Sequence, residues 1–376
     1  MVAATTKTIV LSGYYGFRNS GDEAVLKSIL IALEEEGLTS GMDIKPVVLS
    51  IDPEWTSRTY GVQAVHRMKL SEVRNAIKNS DGLISGGGSL LQDATGMKSI
   101  PYYLGVIKLA QWLGKPTFIY AQGIGPVNRK LFRPMISSVF RRCDYISVRD
   151  AESAGLLRSM GLRENDVQVV PDPVMGLTLP EKTEASVSKE STHESDLPVV
   201  GVSVRFWNPE RTELSKLAEG LSLLSRRKRV NIRFLPFHFP GDDEASRFVM
   251  DKLENIAEHG STVSVAPEIE NPQDMLREVS KCSLLVGMRL HSLIYAAAQS
   301  VPLLGVSYDP KIDQFLGRIG SVPVGTAQEL DPRILAAEGE RLLNEGGMWR
   351  KAHASQIAEL KREARIPAQR IIEFLR

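Results

Sequence analysis

Short β-branched runs alternate with helix-period segments along this chain, and the alternation stops once and then starts again. Before the break, residues 8–12, 45–50, 82–85, 117–120, 145–148 and 167–170 read as strands, with helical patterns such as 22–36 and 70–79 between them. After it come 199–204, 231–235, 262–265, 284–287 and 303–307. The break itself, 181–196, is rich in Ser and charge and has no large apolar side chain, which predicts a linker or flexible loop. Strand and helix in alternation predict an α/β fold of two Rossmann-like parallel-sheet domains. The expected boundaries are 1–180 and 197–331, with 332–376 as C-terminal helices in which Leu360, Ile366, Ile371, Ile372 and Leu375 are the apolar positions. Two such domains facing each other would bring the carboxyl ends of their strands to one cleft, so chemistry is expected just after strands.

Composition narrows the class of partner. The 376 residues are 43% hydrophobic and 24% charged, enough for substantial cores without disulfides or structural metal. Lys plus Arg number 46 against 45 Asp plus Glu, so no global field draws the chain to nucleic acid, and an anion site must be a local cluster. Cys143 and Cys282 stand alone, outside any redox or zinc spacing, and read as buried filler. The six histidines lack ligand spacing, so no metal is expected. No signal-like segment and no run near the roughly 18 apolar residues of a spanning helix is visible, which predicts a cytoplasmic protein. The basic residues Arg350, Lys351, Lys361, Arg362 and Arg365 form either a solvated face or a peripheral membrane contact.

The first strand runs into Gly13-Tyr14-Tyr15-Gly16-Phe17-Arg18-Asn19-Ser20-Gly21-Asp22-Glu23. This is neither a dinucleotide fingerprint nor a P-loop, and two carboxylates at the start of the next helix would repel a phosphate. The loop is expected to bind something neutral. Tyr14 and Phe17 suit the apolar face of a sugar, with Asn19 and Asp22 for its hydroxyls; the alternative is loop packing, with Asp22 as a helix cap. Gly86-Gly87-Gly88 after a buried strand either admits a ligand to the backbone amides or makes a tight strand-to-helix crossing. Arg149 ends another strand, where it faces the cleft or pairs with Asp150 or Glu152.

The second half is cationic at its strand ends. Arg205 follows the first strand, His238 the second, and Lys311 follows Tyr308-Asp309-Pro310. Between them lies Gly287-Met288-Arg289-Leu290-His291-Ser292. Read as extended, it puts Arg289 and His291 on one face, with Ser292 capping the helix behind them. Arg, His and Lys at a helix N-terminus make an anion site.

Taken together, Gly13-Tyr14-Tyr15-Gly16, Asn19, Gly21-Asp22-Glu23, Gly86-Gly87-Gly88, Ser147-Val148-Arg149-Asp150, Pro171-Asp172-Pro173 and Gly287-Met288-Arg289-Leu290-His291-Ser292 resemble the polysaccharide pyruvyl transferases, and within them the cell-surface-anchoring CsaB type. The resemblance implies a glycosyltransferase-B-like fold, phosphoenolpyruvate as donor, and a sugar acceptor, β-N-acetylmannosamine of a lipid-linked cell-wall polymer precursor, made into a 4,6-pyruvate ketal. A lipid-linked acceptor would place the protein at the inner face of the cell membrane. Phosphoenolpyruvate is a substrate in this chemistry, and no cofactor is expected. Arg149, Arg289, His291 and Lys311 are then the donor-binding residues. Tyr14, Phe17, Asn19, Asp22 and Arg205 form the acceptor side. His291 is the expected general acid or phosphate ligand, with Arg289 beside it, and Asp22 or Glu23 the base. Two readings compete: a nucleotide-sugar glycosyltransferase on the same architecture, and a non-catalytic sugar-binding protein, which leaves the cationic cluster without a task.

Overall fold

The computed structural model describes residues 5–94, 96–180 and 197–376; the expected linker at 181–196 lies outside them. The chain divides into two units, the first running to Leu177 and taking in Leu360–Arg376, the second spanning Thr178–Glu359.

The first unit is built on seven strands: β1 (Thr5–Tyr15), β2 (Met42–Ser50), β3 (Gln63–His66), β4 (Gly82–Gly86), β5 (Thr117–Gln122), β6 (Tyr145–Val148) and β7 (Gln168–Val169). They lie in the order β3-β2-β1-β4-β5-β6-β7. The second has β8 (Val199–Ser203), β9 (Asn231–Phe234), β10 (Thr262–Val265), β11 (Leu284–Gly287), β12 (Leu303–Ser307) and β13 (Gly325–Thr326), in the order β10-β9-β8-β11-β12-β13. Pairing is parallel throughout, for example Leu11 beside Ile84 and Leu285 beside Leu303. Central strands are apolar on both faces because helices cover both; Ile9, Val10 and Leu11 are all fully buried. The two sheets share the order 3-2-1-4-5, in which the chain reverses direction between the first and fourth strands. That switch point, between β1 and β4 and again between β8 and β11, leaves a crevice at the strands' carboxyl ends.

On one face of the first sheet, the helices Leu70–Lys78, Ser99–Trp112, Phe132–Phe140 and Ala151–Ser159 share a single core through Val73, Ile77, Leu104, Ile107, Ile136, Phe140 and Leu157. The helix Ser20–Thr39 buries Val25, Leu26, Ile29 and Leu33, and packs with the last helix, Ile366–Leu375. The expected block of C-terminal helices therefore divides. The long helix Pro332–Glu363, kinked at Glu345, lies mostly in the second unit, and Leu360–Arg376 returns to the first. Cys143 and Cys282 are packing residues; burial pushes both thiols up to about 12, far from a reactive thiolate. Among the described residues no helix is long and apolar enough to cross a membrane.

Candidate active site

The first unit gathers its polar side chains around the β1–β4 switch point. Asn19, Asp22 and Glu23 enter on the helix Ser20–Thr39. Asn19 is its cap, Oδ1 accepting from the Gly21 N–H at 3.1 Å, so the cap expected of Asp22 falls three residues earlier. Glu23 is buried and shapes the loop. Its Oε1 accepts from the N–H of Gly16 (2.8 Å) and of Arg18 (3.3 Å), and its Oε2 from the Tyr60 hydroxyl (2.8 Å). Occupied in this way, Glu23 is not available as the base.

Asp22 lies over the glycine turn. A Cβ on Gly88 would sit 2.6 Å from its Oδ1, and one on Gly87 would sit 1.8 Å from Cγ1 of Val25. Both glycines have positive φ (+60° and +65°), so the run is required by the close crossing of the helix over β4. The tight-crossing alternative accounts for them. Burial raises the Asp22 carboxyl to about 7, helped by Glu23 and Asp172 and opposed by Arg149.

Arg149 ends β6. Its Nη2 donates to Ser89 Oγ at 2.8 Å, Nη1 lies 3.4 Å from Asp172 and Nε 3.8 Å from Asp150. So tightly framed by carboxylates, it sets the field around Asp22 and is not the open anion clamp expected of it.

Tyr14 and Phe17 stack with ring centroids 3.9 Å apart, both more than a third exposed. Beneath them lies Arg67, which sequence reasoning missed. It is 8% exposed, donates from Nη1 to Gly13 O at 2.9 Å and from Nη2 to Tyr103 OH at 3.2 Å, and sits over the rings of Tyr102, Tyr103 and Phe17 at 4.4–5.4 Å. Among the described residues no carboxylate pairs with it. Tyr14 and Tyr103 each sense both Arg67 and Asp22, so rings, cation and raised carboxyl form one neighbourhood.

In the second unit the strand ends carry Arg205, His238, Arg289 and Lys311. Arg205 Nη1 donates to Tyr308 OH at 3.0 Å and packs on the rings of Tyr308 and Trp207. It belongs to a different unit from the other residues expected on the acceptor side. Arg289 departs from expectation. The helix begins at Leu290, so Arg289 is its extended cap residue and His291 already lies in the first turn; the two are not neighbours along an extended segment. Ser292 is no cap either, its hydroxyl donating back to Arg289 O at 2.7 Å. Arg289 Nε and Nη2 both grip buried Asp242, whose carboxylate also accepts from the N–H of Phe237 (3.1 Å) and His238 (3.0 Å). Arg289 thus braces the β9 loop, and among the described residues Nη1 has no hydrogen-bond partner, which leaves it for a ligand. His291 is half-buried at the helix start, and Lys311 opens the helix Pro310–Arg318, its N–H capped by Asp309 at 2.9 Å.

A family model for polysaccharide pyruvyl transferases matches residues 19–310. The chain belongs to the polysaccharide pyruvyl transferase family. The match covers β2 to β12 and takes in Asp22, Arg67, Arg149, Arg289 and His291, while β1, β13, Tyr14, Phe17 and Lys311 fall outside it. This transferase is also similar in fold to the UDP-GlcNAc 2-epimerase of Methanocaldococcus jannaschii, at 14% identity, covering 99% of each chain with a TM-score of 0.66. A glycosyltransferase from Rickettsia africae is similar at 12% identity, over 99% of this chain and 97% of that one, with a TM-score of 0.63. At such identities the likeness is one of fold, and it bears out the glycosyltransferase-B-like expectation. No curated protein matches the transferase in sequence at a significant level.

Proposed function

We propose that the transferase takes phosphoenolpyruvate as donor and closes a 4,6-pyruvate ketal on a sugar, with no cofactor. The acceptor of this reading is β-N-acetylmannosamine of a lipid-linked cell-wall polymer precursor, as in the cell-surface-anchoring type. Arg67 is the observation that carries it. Among the described residues no carboxylate forms an ion pair with this buried guanidinium, which leaves its charge for an anion, and the stacked rings of Tyr14 and Phe17 above it offer a surface for a sugar ring. Asp22, poised near neutrality in the same neighbourhood, can accept a hydroxyl proton.

The chemistry balances without redox change. Protonation of the donor methylene leaves a cationic carbon that one sugar hydroxyl attacks, losing its proton to the base. Departure of phosphate regenerates an electrophile, which the second hydroxyl captures with loss of its own proton. His291 is the proposed acid for the first step, with Lys311 and the Nη1 edge of Arg289 meeting the donor's charge. Arg149 and Asp172 act on the Asp22 proton by their charges, the first loosening it and the second holding it.

Phosphorus NMR of the purified chain with phosphoenolpyruvate and a β-N-acetylmannosaminide, chelator present, is expected to show inorganic phosphate formed in step with a ketal product. Turnover that requires a nucleotide sugar, with phosphoenolpyruvate inert, would refute the reading in favour of glycosyl transfer.

A further inference from the structure

Charge is distributed unevenly along this nearly neutral chain. Between Asp93 and Asp144 there is no Asp or Glu, and eight Lys and Arg; the rest of the chain carries 38 cations against 45 acids. The stretch folds into β5 and two surface helices, Ser99–Trp112 and Phe132–Phe140, whose inner faces share the core described above. Gln111 Nε2 ties one to the other by donating to Val139 O at 3.0 Å.

Their outer faces are cationic and apolar at once. Trp112 is 73% exposed and Leu131 72%, with Met97 and Met135 also open. Arg129, Lys130 and Arg133 are exposed with Leu131 and Met135 at the start of the second helix, and Arg142 is exposed just past its end, the end that Gln111, next to Trp112, reaches. The acids that border the stretch are turned to other work. Asp93 accepts from the N–H of Asn128 and Arg129, Asp144 from that of Thr117, and Glu72 of the adjoining helix pairs with Lys69. A nucleic-acid backbone would use the cations and leave Trp112 and Leu131 in water. An anionic bilayer uses both, the cations at the headgroups and the apolar side chains at the acyl boundary.

We propose that this face docks the protein on an anionic phospholipid bilayer. The assignment stands on charge complementarity and exposure alone and does not depend on the acceptor. It moves the expected membrane contact away from the C-terminal helices, where Arg350 donates to Ser300 O and Arg365 pairs with Glu35. The helix that ends at Trp112 has Tyr102 near its start, against Arg67, so docking would bind the sheet that carries the candidate site to the surface where a lipid-linked sugar is presented.

The test is co-sedimentation of the full chain with vesicles of phosphatidylcholine, alone or with roughly one third phosphatidylglycerol. Binding is expected only to the anionic vesicles, with a blue shift of tryptophan fluorescence that Trp112→Phe abolishes. At about tenfold or less per cation, K130E/R133E/R142E should weaken the partition on the order of a hundredfold or more. That triple variant should still turn over a soluble glycoside at the parental rate, so a failure of docking is distinguishable from a failure of the proposed activity. Equal binding to both vesicles, undiminished binding by the triple variant with native circular dichroism, or tighter binding to duplex DNA than to anionic vesicles would each overturn the proposal.

Discussion

Asp22 and Glu23 are consecutive carboxyls, both raised to about 7 chiefly by burial, yet their surroundings give them different work. Glu23 is tied to two backbone amides and a tyrosine hydroxyl, whereas Asp22 faces the glycine turn and the charges of Arg149 and Asp172. Because folding raises the Asp22 pKa above its ordinary 3.8, the folded state holds the proton more tightly than the unfolded one. Its effect on stability is nil below about pH 4, grows unfavourable as pH rises toward 7, and stays so above. Asp22→Asn, which does not titrate, should be more stable than the parent by on the order of 4 kcal/mol near pH 8 and equal to it near pH 3. Urea denaturation across pH measures this. The same variant should lose roughly a hundred- to ten-thousandfold in kcat, together with the acid limb of kcat/KM near pH 7. A variant that is stabilised yet fully active would remove Asp22 from the mechanism.

Arg289 and His291 separate in a similar way. Lysine at 289 cannot reproduce the two-nitrogen grip on Asp242, so Arg289→Lys should cost about 2 kcal/mol of stability and weaken phosphoenolpyruvate binding as the Phe237–His238 turn loosens. His291→Gln keeps a hydrogen-bonding side chain but delivers no proton, so donor affinity should survive while kcat falls. Calorimetric titration beside steady-state rates distinguishes them; equal loss of binding in both would make His291 an anion ligand.

At the scale of elements, the two units repeat one device at the same place. In each, a buried glutamate in the first turn after the leading strand accepts hydrogen bonds from the loop before it: Glu23 from Gly16 and Arg18, Glu213 from the N–H and Nδ2 of Asn208. Glu23→Gln replaces one acceptor oxygen by a donor facing donors. It should lower stability by about 1–2 kcal/mol and raise the acceptor's KM, with the donor's KM unchanged, by thermal denaturation and initial rates. These elements also show what the sequence could and could not reveal. Strands buried on both faces, such as β4 and β5, announce themselves as apolar runs. The edge strand β3 reads Gln-Ala-Val-His and has no fully buried residue, so nothing in its pattern marks it. Missing β3 hides Arg67, the residue that follows it and would otherwise meet the same strand-end rule that pointed to Arg149 and Arg205. The pairing of Arg289 with Asp242 was likewise illegible, since 47 residues separate them and only the β9–β8–β11 order brings them together. The sequence pattern puts the start of that helix too late, at Ser292 and not Leu290, because Ser292 is a better capping residue by type than Arg289.

For the molecule as a whole, the chain's return to its first unit matters most. Leu360–Arg376 belongs to that unit although 182 residues of the second, Thr178–Glu359, intervene. Its attachment is apolar: Leu360, Ala364, Ala368, Ile371, Ile372 and Leu375 are buried, and Phe374 meets Phe118 of β5 edge-on at 5.3 Å. Arg365 pairs with Glu35 and Gln369 with Glu36 at the rim, where exposed contacts contribute little. Fully burying four large aliphatic side chains stabilises by about 2 kcal/mol each, so losing the segment costs about 8 kcal/mol, comparable to the whole stability of an ordinary domain. Deleting residues 360–376 should therefore unfold the first unit and leave the second folded. Calorimetry of the truncated chain should show one transition in place of two, and limited proteolysis should spare a fragment within 197–359. Adding the missing segment back as a peptide should restore the lost transition at high concentration, because the groove it fills is formed by the helix Ser20–Thr39 and β5. If the truncated chain keeps both transitions, the last helix is an appendage and the stability of the first sheet is carried by the helices on its other face.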